Sequence, residues 1–200
     1  MARKRETRES NTTILLIVEG ETEEIYFSQM KSCERLRSVT IKAKKAKRSD
    51  PVQILDEAIK ANGEDVYDFI WCVFDCDVLE HPSERFTQLY NQAKDENIRF
   101  AESFPCFEIW FLIHFALPAS VCHTQAGVIR ELKKHITDYC KEKSWFYRKQ
   151  LYQLLKPHQA DAISHAKKLD TPSAEEQDRV LKTTVHKLIE HILSYTKITK

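Results

Sequence analysis

Phe69-Ile70-Trp71-Cys72-Val73-Phe74-Asp75-Cys76-Asp77 is the stretch on which the fold turns. An unbroken apolar run of this length reads as a buried strand, and it ends on two carboxylates. An earlier stretch has the same grammar: Ile14-Leu15-Leu16-Ile17-Val18 runs into Glu19-Gly20-Glu21. In open α/β sheets, sites form outside the carboxyl ends of strands. Asp75 and Asp77 are two apart in an extended segment, so their side chains fall on one side of it. Like charges held that close repel unless a cation stands between them. Carboxylate oxygens suit a hard ion such as Mg²⁺ or Mn²⁺. The reading therefore takes Glu19, Asp75 and Asp77 as metal-binding candidates, with Glu19 as the third ligand or as the base that activates a water.

Outward from these two runs, strands and helices alternate. Gly20 allows a tight turn or a close backbone approach. Thr22 to Ser32 is a predicted helix with Ile25, Tyr26 and Met30 inward, and Val39 to Lys42 a second strand. That strand opens into the densest cationic run of the chain: Lys42, Lys44, Lys45, Lys47 and Arg48. Ser49-Asp50-Pro51 starts a helix over 52–61, a polar cap followed by proline at the first helical position, and Asn62-Gly63 stops it. A helix over 84–96, a short strand ending near Ser103, and a strongly apolar helix over 107–116 follow. Such alternation predicts a parallel α/β sheet flanked by helices. Beyond Pro118 the strand signal fades into helices expected at 125–142, 145–155, 158–168 and 174–195. The expected organisation is a basic mobile arm over 1–12, an α/β domain over 13–115, and an all-helical C-terminal part over 116–200 packed on it.

Composition sets outer limits. Forty-two per cent hydrophobic residues can build a core, and 30% charged residues with a net charge of +1 fit a soluble protein. No apolar stretch reaches the ~18 residues that span a bilayer. Met1-Ala2-Arg3-Lys4-Arg5 is unlike a secretory signal, and the six cysteines form no Cys-x-x-Cys pair. A reducing cytoplasm is the expected setting. The charge is uneven: residues 1–115 carry 16 Lys and Arg against 21 Asp and Glu, and residues 116–200 carry 15 against 9. An acidic half beside a basic half fits a metal site next to a surface that holds a polyanion.

With Glu19-Gly20 after the first strand and Asp75-Cys76-Asp77 after the third, the chain resembles the TOPRIM domain, the metal-binding fold of topoisomerases, DnaG primases and OLD-family nucleases. More narrowly, it resembles the RloB-like proteins, small TOPRIM-type proteins found with restriction and phage-defence loci. That likeness rests on Leu16 to Glu23 with Tyr26-Phe27, on Trp71 to Asp77, on Pro105-Cys106-Phe107-Glu108-Ile109-Trp110-Phe111-Leu112-Ile113-His114-Phe115, and more weakly on Thr184 to Leu188. Two positions depart from the pattern. Cys76 stands where a basic residue is usual between the aspartates, and Phe104 where Ser-Asn-Pro is expected. The resemblance implies a divalent-metal nuclease acting on DNA or RNA in phage defence, with Asp75 and Asp77 holding the metal and Glu19 binding metal or deprotonating water. Its partners would be a nucleic acid and proteins of a defence locus, with an oligomeric form left open.

The remaining candidates carry two readings each. Glu108 sits either as an acid in the first turn of a helix, where the dipole favours it, or as a further catalytic residue. His114 reads as a core histidine. The Lys42–Arg48 run either grips phosphates or forms a solvated loop. Trp145-Phe146-Tyr147-Arg148-Lys149 mixes core aromatics with Arg148 and Lys149 as nucleic-acid contacts. Cys106, His114, Cys122 and His123 match no closed zinc spacing. The rival function is a non-catalytic nucleotide- or metal-binding module of a defence system. An aspartyl phosphatase is disfavoured because its motif belongs on a first strand.

Overall fold

The computed structural model describes residues 12–35, 39–45, 50–64, 66–76, 82–170 and 181–195, with 39–45 by their backbone. Asp77, Lys47, Arg48 and nearly all of the expected N-terminal arm lie outside these residues. The chain runs β1 (Thr12–Val18), α1 (Glu21–Glu34), β2 (Val39–Lys45), α2 (Pro51–Asn62), β3 (Phe69–Asp75), α3 (Glu84–Asp95) and β4 (Arg99–Phe104). It continues with α4 (Glu108–Leu112), α5 (Gln125–Leu132), α6 (Lys143–Lys149), α7 (Leu151–Leu155), α8 (Gln159–Leu169), β5 (Lys182–Thr183) and α9 (Val185–Ser194).

The sheet has the order β2-β1-β3-β4-β5. Its first four strands are parallel, each joined to the next in sequence by a helix, as parallel pairing requires. The apolar runs are buried on both sides because side chains alternate across a strand. Ile14, Leu16, Val18, Trp71 and Val73 face a core shared with α1, α4 and the C-terminal helices. Leu15, Ile17, Ile70, Cys72 and Phe74 face a second core under α2 and α3. The architecture is α/β, a mostly parallel sheet flanked by helices, as the alternation predicted. Among the described residues no helix is long and apolar enough to cross a membrane.

The C-terminal part departs from the expected helices in three places. The segment expected as one helix over 125–142 is helical only to Leu132 and then turns. The segment expected over 145–155 breaks at Gln150, whose φ of 49° is left-handed. The break leaves backbone groups that a continuous helix would have satisfied. Buried Gln29 of α1 takes over one of them, the Tyr152 N–H, and adds a second bond to Phe146 O, which already accepts from Gln150 N at 3.0 Å. Its Nε2 donates to Phe146 O at 2.9 Å, and its Oε1 accepts from Tyr152 N at 3.0 Å. The long helix expected over 174–195 is also corrected: among its described residues only Val185–Ser194 is helical. Lys182 and Thr183 instead form β5, antiparallel to β4, with Ser103 opposite Thr183 and Phe104 opposite Lys182. Thr184 N donates to Glu102 O at 2.8 Å, and Glu102 N donates to Thr184 Oγ1 at 2.9 Å. Among its described residues the C-terminal part thus has helices and one strand, which extends the sheet.

Tyr26 is the hub of the larger core. Its hydroxyl accepts the Trp110 indole N–H at 2.8 Å. Its ring lies within 6 Å of the Phe27, Phe107, Phe111 and Tyr152 rings. A buried phenol needs such a partner, since an unmet polar group there costs about 1–3 kcal/mol.

Candidate active site

The parallel register lines up the carboxyl ends of the strands. Val18 stands opposite both Lys45 of β2 and Val73 of β3, and Asp75 stands opposite Ser103 of β4. Beyond β1, Glu19 N donates to Val73 O at 3.0 Å. Its side chain then turns toward β3, where Oε2 accepts the backbone N–H of Asp75 at 2.9 Å. The two acids that sequence put on separate strands therefore meet at one edge of the sheet. Asp77 falls outside the described residues. Among the described residues no group of three or more His, Cys, Asp or Glu is set to hold a metal ion by itself.

A second tier of acids lies behind this pair. Glu108 opens α4 and is only 1% exposed, so its charge needs partners. Lys141 Nζ lies 2.7 Å from its Oε1, and the Tyr139 hydroxyl donates to the same oxygen at 3.1 Å. Burial opposes the Lys141 charge, but the Glu108 carboxylate outweighs it and raises the lysine pKa. Burial, then Glu108, pushes the Tyr139 phenol above its usual range. The Cys106 thiol is also raised, by burial and then by the charges of Glu108 and Asp75, which puts it electrostatically between the two tiers.

Glu23 completes the cluster. It is an acid on the inward face of α1, one turn before Tyr26 and Phe27, and it is 6% exposed. Its Oε2 is buried with no hydrogen-bond partner. Burial is the main reason its pKa rises from 4.5 to about 7, with added repulsion from Glu108 and Glu19 and partial relief from Lys141. Gly20 makes room for it, since a Cβ at position 20 would come within 2.8 Å of Glu23 Oε2. Glu23 is the site residue the sequence reading missed. Its signal was spacing: it falls three and four positions before buried Tyr26 and Phe27, where an apolar residue belongs.

The other candidates divide. Lys42, Lys44 and Lys45 lie within β2 rather than in a loop after it, and Lys45 ends level with Val18 at the acidic edge. Arg148 and Lys149 close α6, far along the chain from the acids; Arg148 is exposed, and Lys149 is paired with Asp138 at 2.7 Å. Trp145 and Phe146 are core residues, while Tyr147 is half exposed. His114 is a buried core histidine whose Nδ1 lies 2.7 Å from Trp110 O. Burial lowers its pKa to about 4.

Fold and site together define an α/β protein with acidic residues at the carboxyl ends of two adjacent strands of a parallel sheet. The family model described as RloB-like protein matches residues 14–192, and the chain belongs to that family. Comparison with curated proteins and with solved structures returns no match.

Proposed function

We propose that the chain is a divalent-metal-dependent nuclease that hydrolyses phosphodiester bonds of DNA or RNA in phage defence. The observation that carries this reading is that the Glu19 carboxylate reaches across to the exit of β3, where its Oε2 accepts the Asp75 backbone N–H at 2.9 Å. The donor set fits Mg²⁺ or Mn²⁺ because it is all oxygen, and because Glu23 Oε2 is buried without a partner amid two other acids. Glu19 and Asp75 would hold the ion, with Asp77 two residues further along the same chain exit. When bound, such an ion polarises a phosphoryl oxygen and offsets charge on the leaving oxygen.

The chain's own groups supply the rest. Glu19 is oriented by the Asp75 amide and can accept a proton from an attacking water. Glu23 titrates near neutral pH and can take up or return a proton at Oε2. Glu108 is anchored by Tyr139 and Lys141, with its charge met by the lysine, and can hold a carboxylate oxygen in place close to Glu23. Lys42, Lys44 and Lys45 of β2, with Lys47, Arg48 and Arg148, are the cations proposed to meet the nucleic-acid backbone.

The test is a panel of single- and double-stranded DNA, tRNA and bulk RNA with Mg²⁺ or Mn²⁺, run with the wild type, Glu19→Gln and Asp75→Asn. Cleavage that needs metal and disappears in both variants supports the proposal. Cleavage that survives Asp75→Asn removes it. A second reading, a non-catalytic nucleotide- or metal-binding module, draws on the internal pairing of Lys149 with Asp138 and of Lys141 with Glu108. Metal-dependent thermal stabilisation with no cleavage of any substrate favours that alternative.

A further inference from the structure

At the opposite end of the same strands lies an open pocket of about 420 Å³. It is lined by Trp71, Ile98 and Phe100, and by three cations: Lys94, Arg99 and Lys187. No acid lines it. Trp71 opens the β3–β4 pairing opposite Arg99, four residues before Asp75. At roughly 3.3 Å per residue, the pocket stands about 13 Å along the strand from the carboxylates.

We propose that this pocket binds the phosphates of a nucleotide-sized polyphosphate anion, at a site separate from the acidic edge. Pockets of roughly 300–1,000 Å³ accept ligands of that size. The Arg99 guanidinium is held in place by aromatic rings, 4.7 Å from the Phe69 centroid and 5.7 Å from that of Trp71. A guanidinium stacked in this way still presents a planar fork of N–H donors, the geometry that grips phosphate bidentately. Among the described residues neither Arg99 nor Lys94 makes an ion pair; Lys94 lies 5.8 Å over the Tyr90 ring. Lys187 pairs with Asp170 at 2.7 Å, which uses one of its three donors. Ile98 and half-buried Phe100, on the α3 side of the sheet, and Trp71 on the other side give the pocket apolar lining at the strand end against which a nucleoside can rest. An open pocket of this volume has room for one such ligand rather than a long backbone.

His191 offers an internal reporter. Its Nδ1 accepts the Trp71 indole N–H at 3.2 Å, and an indole only donates, so the neutral ring carries its proton on Nε2. Burial lowers the His191 pKa, and the nearby Arg99 charge lowers it further. An anion seated on Arg99 offsets that charge and moves the His191 pKa up.

The experiment titrates pyrophosphate, tripolyphosphate and ATP into the full chain by calorimetry, in EDTA so that no metal bridges the anion to the carboxylates. The His191 ring is followed by NMR across a pH series, with and without ligand. Binding of any probe, weakened about tenfold or more in both Arg99→Gln and Lys94→Gln, supports the site. Lys94 is exposed, so its variant keeps the test sound if Arg99→Gln disturbs folding. Tighter binding of ATP than of tripolyphosphate, which matches its phosphate count, supports it further and assigns the apolar lining to the nucleoside. Asp75→Asn is expected to bind as the wild type does, and His191 to titrate at higher pH with ligand bound. The proposal is overturned if no probe binds at about 10 mM, if both pocket variants bind like wild type, if Asp75→Asn abolishes binding, or if the His191 titration does not move.

Discussion

The carboxylate of Glu23 is folded against the α-carbon of Gly20, so closely that a methyl group there would come within 2.8 Å of Oε2. The clash falls on the far end of a flexible side chain, so the backbone need not yield. Gly20→Ala is expected to push the carboxylate aside, change stability by less than about 1 kcal/mol, and slow metal-dependent cleavage by about 10- to 100-fold. Cleavage rates beside urea unfolding midpoints check this. A variant with wild-type rates would show that the position of Glu23 does not matter to the reaction.

Glu23 also sets a pH dependence in the metal-free protein. The folded chain keeps its proton up to about pH 7, whereas an ordinary glutamate releases it near 4.5. Between those values the folded state binds more protons than the unfolded state, so stability falls as pH rises from about 4.5 to 7 and levels off above. Glu23→Gln removes this loss. The variant is expected to be more stable than wild type at pH 8 by up to about 3 kcal/mol, and no more stable near pH 4.5. Denaturant unfolding in EDTA at several pH values measures the difference, and parallel curves for the two proteins would count against it.

Manganese is expected to raise the thermal midpoint of the wild type and to leave that of Asp75→Asn nearly unchanged. Binding that reaches 100 times Kd is worth about 2.7 kcal/mol of stability. Differential scanning fluorimetry across a metal series reads this directly. Equal stabilisation of both proteins would place the ion elsewhere.

Glu108 is nearly fully buried and is held by Tyr139 and Lys141. Lys141→Met strands a buried charge and is expected to cost about 3 kcal/mol. Tyr139→Phe removes one hydrogen bond and costs about 1–2 kcal/mol. Pairing Lys141→Met with Glu108→Gln is expected to recover much of the first loss. Urea melts of the single and double variants supply the cycle, and strict additivity would refute the pairing.

Gly127 in α5 packs against the carbonyl of Val121, where an added Cβ would come within 1.9 Å. The obstacle is backbone, so the turn over Ser120–His123 must move. Gly127→Ala is expected to destabilise by about 2–3 kcal/mol despite the better helix propensity of alanine. A stability gain in thermal unfolding would mean that this turn yields freely.

Local signals carried the sheet. Apolar runs of strand length, separated by capped helices such as Asp50-Pro51, whose Asp50 side chain accepts from Val52 N, specify alternation without reference to distant residues. The carboxylates were legible for the same reason, since strand ends are marked by where the apolar run stops. What was hidden depends on contacts far apart in sequence. The bend at Gln150 is held by Gln29, and β5 exists because Glu102 and Ser103 pair with residues some eighty positions on. Helical periodicity alone ran through both. Of the two readings of Glu108, its place in the first turn of a helix is the one the fold bears out; its charge also acts on Glu23, and its catalytic reading stays a proposal. Glu23 was overlooked because attention fell on strand ends, while its oddity is a charge on the packed side of a helix.

The two-residue strand β5 has a consequence for any shortened form of the protein. It occupies the outer side of β4, where Ser103 and Phe104 would otherwise offer a bare row of amides and carbonyls. A fragment ending before residue 181 exposes that row and recruits extended segments of its neighbours. Such a fragment is expected to gather into oligomers or fibres rather than remain dispersed, so the tail acts as a built-in guard against self-association.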